Sequence, residues 1–446
     1  MKLNKPKNEN YAAVVVKIDT LVPLEKCDNV QGAIILGNQV IVSKDVKVGD
    51  VGIYFPLECQ LSKEYLSNNN LYDNPELNTR KTESGYFKEN GRVRCQRFRG
   101  HKSEGLFMPF SSLAFIGFDE LKIGDCFDEL NGVPICKKYK VIQQNGTPGQ
   151  PGNKKRSTKK YESKLVADQF RFHKDTSMLY RNLHRLNPDS LIQVSYKMHG
   201  TSGISSYVVC KKKLTGKDKL ARFVGAKIVE QEYDYIYSSR NVIKNEHINP
   251  NPTHFYKEDI WGIAHKELKP FLQKGMTLYY EIVGFLPNGG AIQKDYDYGC
   301  QPKEHAIYIY RITQTNVDGK VYEFSAKQVQ DWCKSNGLNV VPELYYGYAR
   351  DLYFEVTPDG EGDFSRKIFS QSNIDEDSWR TNFLKFIKEM YNEKDCFMCN
   401  TKVPEEGCVV RIEGLEVETY KQKSERFYQR ETALLDKGES NIEDDN

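Results

Sequence analysis

Four short stretches of this 446-residue chain carry residue types suited to phosphate chemistry, and they lie far apart in sequence. In the first, Tyr196–Ser202 (YKMHGTS), an apolar strand LIQVSYK ends in Lys197 and turns through His199 and Gly200. A lysine at a strand end, followed by a glycine turn, can present its amine to a phosphate held against the loop backbone. An ordinary surface lysine is the plain alternative. The second stretch, YKQKSERFY at 420–428, places Lys421 and Lys423 on one face of a strand. Like charges side by side repel unless an anion lies between them, and a phosphate would serve; a solvated edge strand is the competing reading. The third, EEGCVVRIEG at 405–414, offers two adjacent carboxylates. Strand alternation sends Glu406 toward a site, as a metal-binding carboxylate, and Glu405 to solvent. In the fourth, MTLYYEIVGF at 276–285, Glu281 interrupts an apolar strand, where a charge is costly unless it is paired or binds a ligand.

Together these stretches resemble the covalent nucleotidyltransferases: ATP-dependent RNA and DNA ligases and mRNA capping enzymes. Lys197-Met-His-Gly200 is similar to the KxxG nucleophile motif, LYYEIVG to motif III, AIYIYRI to motif IIIa, EEGCVV to motif IV and Lys421-Gln-Lys423 to motif V, in the family's order. KMHGTS, with histidine where DNA ligases favour aspartate, resembles the RNA ligase 2 group. FRFHKDT at 170–176, SSRN at 238–241 and CFMCNTKVPEEG at 396–407 resemble the Deinococcus-type RNA ligases, which carry an N-terminal OB domain similar to KVGDVGIYFP and SEGLFMPF here. DNA ligases and capping enzymes place that domain after the KxK strand, where this chain has only a short tail. Two positions depart from the pattern: Tyr196 stands where many relatives have Glu, and Ser202 where some have Asn.

The resemblance implies an ATP-dependent RNA ligase, with a capping-type guanylyltransferase and a non-catalytic nucleic-acid-binding protein as alternatives. Lys197 would attack the α-phosphorus of ATP, and the AMP would pass to a 5′-phosphate and leave on attack by a 3′-hydroxyl. A lysine attacks only when neutral, against an ordinary pKa of about 10.4; Mg²⁺ or Mn²⁺, Lys421, Lys423 and Arg240 would depress it. Lys197, Lys421 and Lys423 are the implied catalytic residues. His199, Gly200, Arg240, Glu281 and Glu406 would complete the nucleotide site, Glu406 and Glu281 holding the metal, and Tyr308 or Tyr310 would stack on adenine. The implied partner is RNA or an RNA-containing nicked duplex, with no membrane; a monomer is expected, and whether an end-healing enzyme works upstream stays open.

The length allows two or three domains. Short strands at 11–18, 32–42, 51–55 and 91–98, punctuated by Gly, Asp and Asn turns, suit an OB-type β-barrel over 1–140. Arg92, Arg94, Arg97 and Arg99 could grip a nucleic-acid strand there, or simply form a charged strand face. Residues 141–164 are rich in Gly, Pro and Lys/Arg and read as a flexible linker whose Lys154, Lys155, Arg156, Lys159 and Lys160 could touch phosphate. From 165 to 435 the pattern predicts an α+β nucleotidyltransferase domain of antiparallel sheets flanked by helices. Its helical stretches lie around 254–273, from Ser325 to Gly337, and over 376–391, where Trp379, Phe383, Phe386, Ile387 and Met390 share a stripe. An acidic tail, 436–446, follows.

The net charge of +3 excludes a global polycation, so any nucleic-acid surface is local. The 39% hydrophobic and 28% charged residues are ordinary for a soluble protein, and nothing approaches a membrane span. Eleven scattered cysteines suit a reducing, intracellular setting. The Cys396–Cys399 pair is read chiefly as buried thiols, with a zinc site using Cys300 and His305 as the other reading.

Overall fold

The structure, a computed structural model, describes residues 3–117, 121–140, 164–173, 175–244, 258–352, 354–358, 364–368 and 375–437. The linker expected at 141–164, apart from Lys164, and the acidic tail from 438 onward lie outside them, as do the five cations at 154–160. It is an α+β protein of mainly antiparallel sheets. Among the described residues no helix is long and apolar enough to cross a membrane, and all eleven cysteines are free thiols.

In the N-terminal part the strand Ala13–Lys17 pairs with Val51–Phe55, which pairs in turn with Leu106–Pro109. A second sheet joins Thr20–Val22, Val30–Ile35 and Asn38–Ser43. The run expected as one strand over 32–42 is instead a hairpin, because Leu36 and Gly37 both take positive φ and reverse the chain. The strand expected over 91–98 is broken: Gly91–Val93 bonds to residues 58–61 through an isolated bridge, and Gln96–Phe98 pairs with His101–Ser103. The two sheets meet where Glu104 N–H donates to the Gln39 carbonyl at 2.8 Å and Ile41 N–H to Ser103 Oγ at 3.1 Å. Among the described residues the ladders themselves do not join into a closed barrel.

The apolar run AVVV has both faces covered, which accounts for its lack of polar alternation. Ala13 and Val15 enter a core private to the N-terminal part. Val14, Val16 and Ile18 enter a second core shared with Ile192, Val194, Val410 and the helix Glu376–Tyr391. In that helix Trp379, Phe383, Leu384 and Ile387 are buried. Met390, expected on the buried stripe, is exposed near the end of the helix.

The C-terminal part holds two sheets. The first orders Ser177–Met178, Glu418–Lys423, Gly407–Ile412, Leu191–Tyr196 and Glu343–Tyr348. The second orders Ile243–Lys244, Gln231–Ser239, Thr201–Lys211, Met276–Gly284, His305–Thr315 and Val321–Glu323. Helix Ile260–Leu268 buries Trp261 and Ala264 against the second sheet. Helix Ala326–Asn336 is capped by Ser325, in a reciprocal bond pair with Gln328, and stopped by left-handed Gly337, as its sequence signals predict. Residues 197–200 are the link between the two sheets: the chain leaves the first at Tyr196 and enters the second at Thr201.

Candidate active site

Lys197 is pinned at its backbone, where its N–H donates to the Gly407 carbonyl at 2.9 Å. The turn that follows is tight. Gly200 N–H donates to Glu281 Oε1 at 3.1 Å, and its carbonyl accepts from Gln293 Nε2 at 2.7 Å. A Cβ on Gly200 would lie 2.8 Å from Val283 Cγ1 and 2.9 Å from Glu281 Cγ, and closer still to the Ile282 carbonyl oxygen. Only glycine lets the turn lie this near the Met276–Gly284 strand. Gly407 has φ +137°, and a Cβ there would stand 2.9 Å from Lys423 Cα. It sets the start of the strand Gly407–Ile412, just after Glu406, close against the strand bearing the two lysines.

The side chains of Lys197, Lys421 and Lys423 open on one cavity of about 730 Å³ between the sheets. Arg240, Glu281 and Tyr310 line it as well. Seven cationic side chains face it, with Arg171, Arg311 and Arg411 completing the set, against three carboxylates, Asp175, Glu281 and Glu323. On the wall itself cations outnumber carboxylates, which favours a bound anion there.

The lysines are balanced by protein carboxylates. Lys197 Nζ lies 2.6 Å from Glu406 Oε1, so the partner at the amine is an anion rather than the cations expected from sequence. Lys423 Nζ lies 3.1 Å from both Glu431 oxygens and 3.6 Å from Glu406 Oε1. Burial would lower the Lys423 pKa, but Glu431 and Glu406 outweigh it and hold it well above the usual lysine value. Lys421 Nζ approaches Asp175 Oδ1 at 3.9 Å, and the same oxygen pairs with Arg240. The repulsion between the paired lysines is thus relieved here by carboxylates.

Other expected residues take different places. Glu406 is almost wholly buried behind Lys197 rather than on the cavity wall. Glu405 faces the 394–396 loop, not solvent: its N–H donates to the Lys394 carbonyl at 3.0 Å, and burial raises its carboxyl pKa to about 7. His199 lies behind the cavity, its ring edge-on to Tyr296 and Phe427 at 4.9 and 4.8 Å and Nδ1 3.7 Å from Glu406. Of the two candidate tyrosines, Tyr310 lines the cavity and Tyr308 packs into the cluster around Tyr196 and Met198. Tyr310 is the extra residue of a β-bulge opposite Tyr279 and Tyr280. The bulge lets consecutive residues Tyr310 and Arg311 face one cavity, which a regular strand forbids.

Several lining residues had no role assigned from sequence. His173 is half-buried beside Tyr310; desolvation, then Arg311, Arg240, Lys197 and Lys421, push its pKa to about 3, so the imidazole is neutral. Asp175 joins Arg240 to Lys421, and Glu323 joins Arg311 (2.6 Å) to Arg411 (3.2 Å). The phrase FRFHKDT contained the signal for His173 and Asp175.

In the N-terminal part Arg92 is fully buried, 2.8 Å from Glu58 and 3.3 Å from Asp436, so it clamps the helix Glu425–Asp436 instead of facing a nucleic acid. Arg94 joins it on Asp436 at 3.1 Å. Arg97 and Arg99 stay exposed. Among the described residues no three His, Cys, Asp or Glu side chains cluster to hold a metal. His305, named from sequence as a conceivable zinc partner of the Cys396–Cys399 pair, lies 2.9 Å from Glu267. A hydrogen bond from Cys399 outweighs burial and lowers the Cys396 thiol pKa to about 6.

This arrangement can be set against known proteins. No family model and no curated protein matches the sequence. Solved structures do match. A lysine-to-methionine variant of Naegleria gruberi RNA ligase with AMP and Mn superposes with a TM-score of 0.56 at 15% identity, over 94% of this chain and 98% of the other. The fold is that of an RNA ligase. The same organism's RNA ligase with pyrophosphate gives 0.56 at 15% identity over 96% and 99% of the two chains. An arginine-to-alanine variant with ATP and Mn gives 0.56 at 16% over 95% and 99%. The RNA ligase fold therefore spans both the N-terminal part and the two-sheet part.

Proposed function

We propose that the chain is an ATP-dependent RNA ligase of the RNA ligase 2 group, of the Deinococcus type. The observation that carries this reading is the meeting of Lys197, Lys421 and Lys423, from stretches more than 200 residues apart, on one cationic cavity. The RNA ligase fold supports it, as do the ATP, AMP, pyrophosphate and Mn named for the Naegleria structures.

In the first step the Lys197 amine, having lost a proton, attacks the α-phosphorus of ATP; an N–P bond forms and the P–O bond to pyrophosphate breaks. Lys421, Lys423 and Arg240 offset the charge developing on the phosphates. Glu406 must give up the Lys197 ammonium before attack, because a paired ammonium has no lone pair to donate. In the second step a 5′-phosphate oxygen attacks the same phosphorus and releases the lysine. In the third a 3′-hydroxyl attacks the 5′-phosphate and AMP leaves. Positioning and charge neutralisation supply most of the acceleration. Tyr310 and Glu281 both line the cavity, which supports a role for Tyr310 in stacking on the base and for Glu281 in engaging the ribose or metal.

Hard carboxylate oxygens suit Mg²⁺ or Mn²⁺; Glu281, on the cavity wall, would hold such an ion, Glu406 would join it only on releasing the Lys197 ammonium, and phosphate oxygens and water would complete its shell. The ion's chemistry is charge neutralisation at the phosphates. His199 and Gly200 serve by shaping the turn beneath the nucleotide. The N-terminal strands act as an OB-type module that grips RNA beside the break, with Arg97 and Arg99 as its exposed cations. Free thiols throughout suit the intracellular setting.

The test offers nicked duplexes with RNA or DNA on each side of the nick, with ATP or GTP. Sealing that needs ATP and an RNA 3′-OH strand is expected. Use of GTP alone would favour a capping-type guanylyltransferase, and unchanged activity in Lys197→Ala a non-catalytic protein.

A further inference from the structure

Lys423 is held in place by a single helix. The strand Glu418–Lys423 ends at Ser424, whose Oγ caps the helix Glu425–Asp436 by accepting from Phe427 N–H at 3.1 Å. Ser424 also ties this junction to the neighbouring carboxylates: its hydroxyl donates to the Glu405 carbonyl at 2.8 Å and its N–H to the Glu406 carbonyl at 2.9 Å. Residues 427 and 431 are one turn apart, so they share a face. That face meets the Lys423 ammonium, which sits over the rings of Phe427 at 4.9 Å and Tyr428 at 5.5 Å and donates to both Glu431 oxygens at 3.1 Å. Phe427, Tyr428 and Glu431 are buried, and Lys423 is partly buried.

Two carboxylates therefore compete for one ammonium. Glu406 stands between Lys197 and Lys423, and Glu431 holds Lys423 from the far side at the shorter distance. Without Glu431, Lys423 would turn to Glu406, a carboxylate already engaged with the nucleophile, and would leave its place on the cavity wall. The N-terminal part fixes the helix at both ends, through Arg97 and Lys102 on Glu425 and through Arg92 and Arg94 on Asp436.

We propose that Glu431 is a positioning residue for the first chemical step: with Phe427 and Tyr428 it keeps the Lys423 ammonium at the cavity and stops it closing further on Glu406, 3.6 Å away. This rests on the ligase reading above. Since Glu431 acts through Lys423 on charge that develops during transfer, its loss should slow the step more than it weakens ATP binding.

The test measures single-turnover transfer of labelled AMP to the full-length protein over a range of ATP concentrations. Glu431→Gln should lower the rate at saturating ATP about tenfold or more, with the half-saturating ATP concentration within about twofold, and Glu431→Asp should recover part of the loss. Thr432→Ala is the control for helix docking. It removes the Thr432 Oγ1 contact with Arg92 (3.3 Å) without touching Lys423, and it should transfer AMP at nearly the wild-type rate. The proposal is overturned if Glu431→Gln reacts as fast as wild type, if its loss appears only in ATP affinity, or if Thr432→Ala loses as much. Failure of the ligase reading looks different: the wild-type protein would then take up no AMP.

Discussion

Replacing Gly200 by alanine tests the link between local packing and chemistry. The added methyl would press on Val283 Cγ1, Glu281 Cγ and, nearest, the Ile282 carbonyl oxygen, all on a fully buried strand paired on both sides. Ordinary contact needs about 3.5 Å between carbons, so the turn must move by roughly 1 Å. Forcing extra volume into a packed site costs about 1–3 kcal/mol. Losing the bond from Gly200 N–H to the Glu281 carboxylate costs a further ~1.5–3 kcal/mol. The thermal midpoint should fall by a few degrees, at about 1 °C per kcal/mol for a chain of this length. The chemical effect should be larger than instability alone gives, because Lys197 rides on the same turn. A displacement of about 1 Å can cost on the order of 100-fold in rate. Single-turnover AMP transfer, measured well below the variant's midpoint, should show that loss. A variant that melts earlier yet reacts within about threefold of wild type would refute the claim that this turn sets the position of the amine; an unchanged midpoint would refute the packing argument itself.

Lys421→Ala should lower AMP transfer by about 10²–10³-fold, the usual effect of removing one preorganised charge donor, and single-turnover rates check it. Arg92→Ala leaves the largely buried Glu58 without its partner and should cost about 3–5 kcal/mol by denaturant unfolding. His173 gives a pH dependence of known sign. Its folded pKa is depressed to about 3 from 6.5, so below pH 6.5 the unfolded chain takes a proton that the folded chain refuses. Stability from this group falls by about 1.4 kcal/mol per pH unit as pH drops from 6.5 toward 4. His173→Phe should gain on wild type over that window in unfolding titrations at each pH, and a constant difference would contradict the assignment.

Much of the site is legible in sequence because its signals are local. The lysine–glycine turn at 197–200, the buried charge of Glu281 and the spacing of Lys421 and Lys423 each show within a few residues. So do Ser325 and Gly337 at the ends of their helix. What escaped depends on distant partners. Arg92 looks like any strand cation until Asp436 is brought over it. Glu405 looks like a solvent-facing neighbour of Glu406 until the 394–396 loop covers it. Arg311 joins the cavity only because a bulge breaks strand alternation, and a bulge depends on pairing with Tyr279 and Tyr280. Glu431 lies on a helix whose periodicity says nothing about which lysine its inner face will meet.

The account depends on the Lys197 amine becoming bonded to phosphorus. The direct measurement incubates the protein with ATP and a divalent cation, digests it and locates any added AMP by mass spectrometry. An acid-labile AMP on the peptide carrying Lys197, absent from Lys197→Ala, is the predicted result. AMP on another residue, or an adduct formed from GTP and not from ATP, would contradict it.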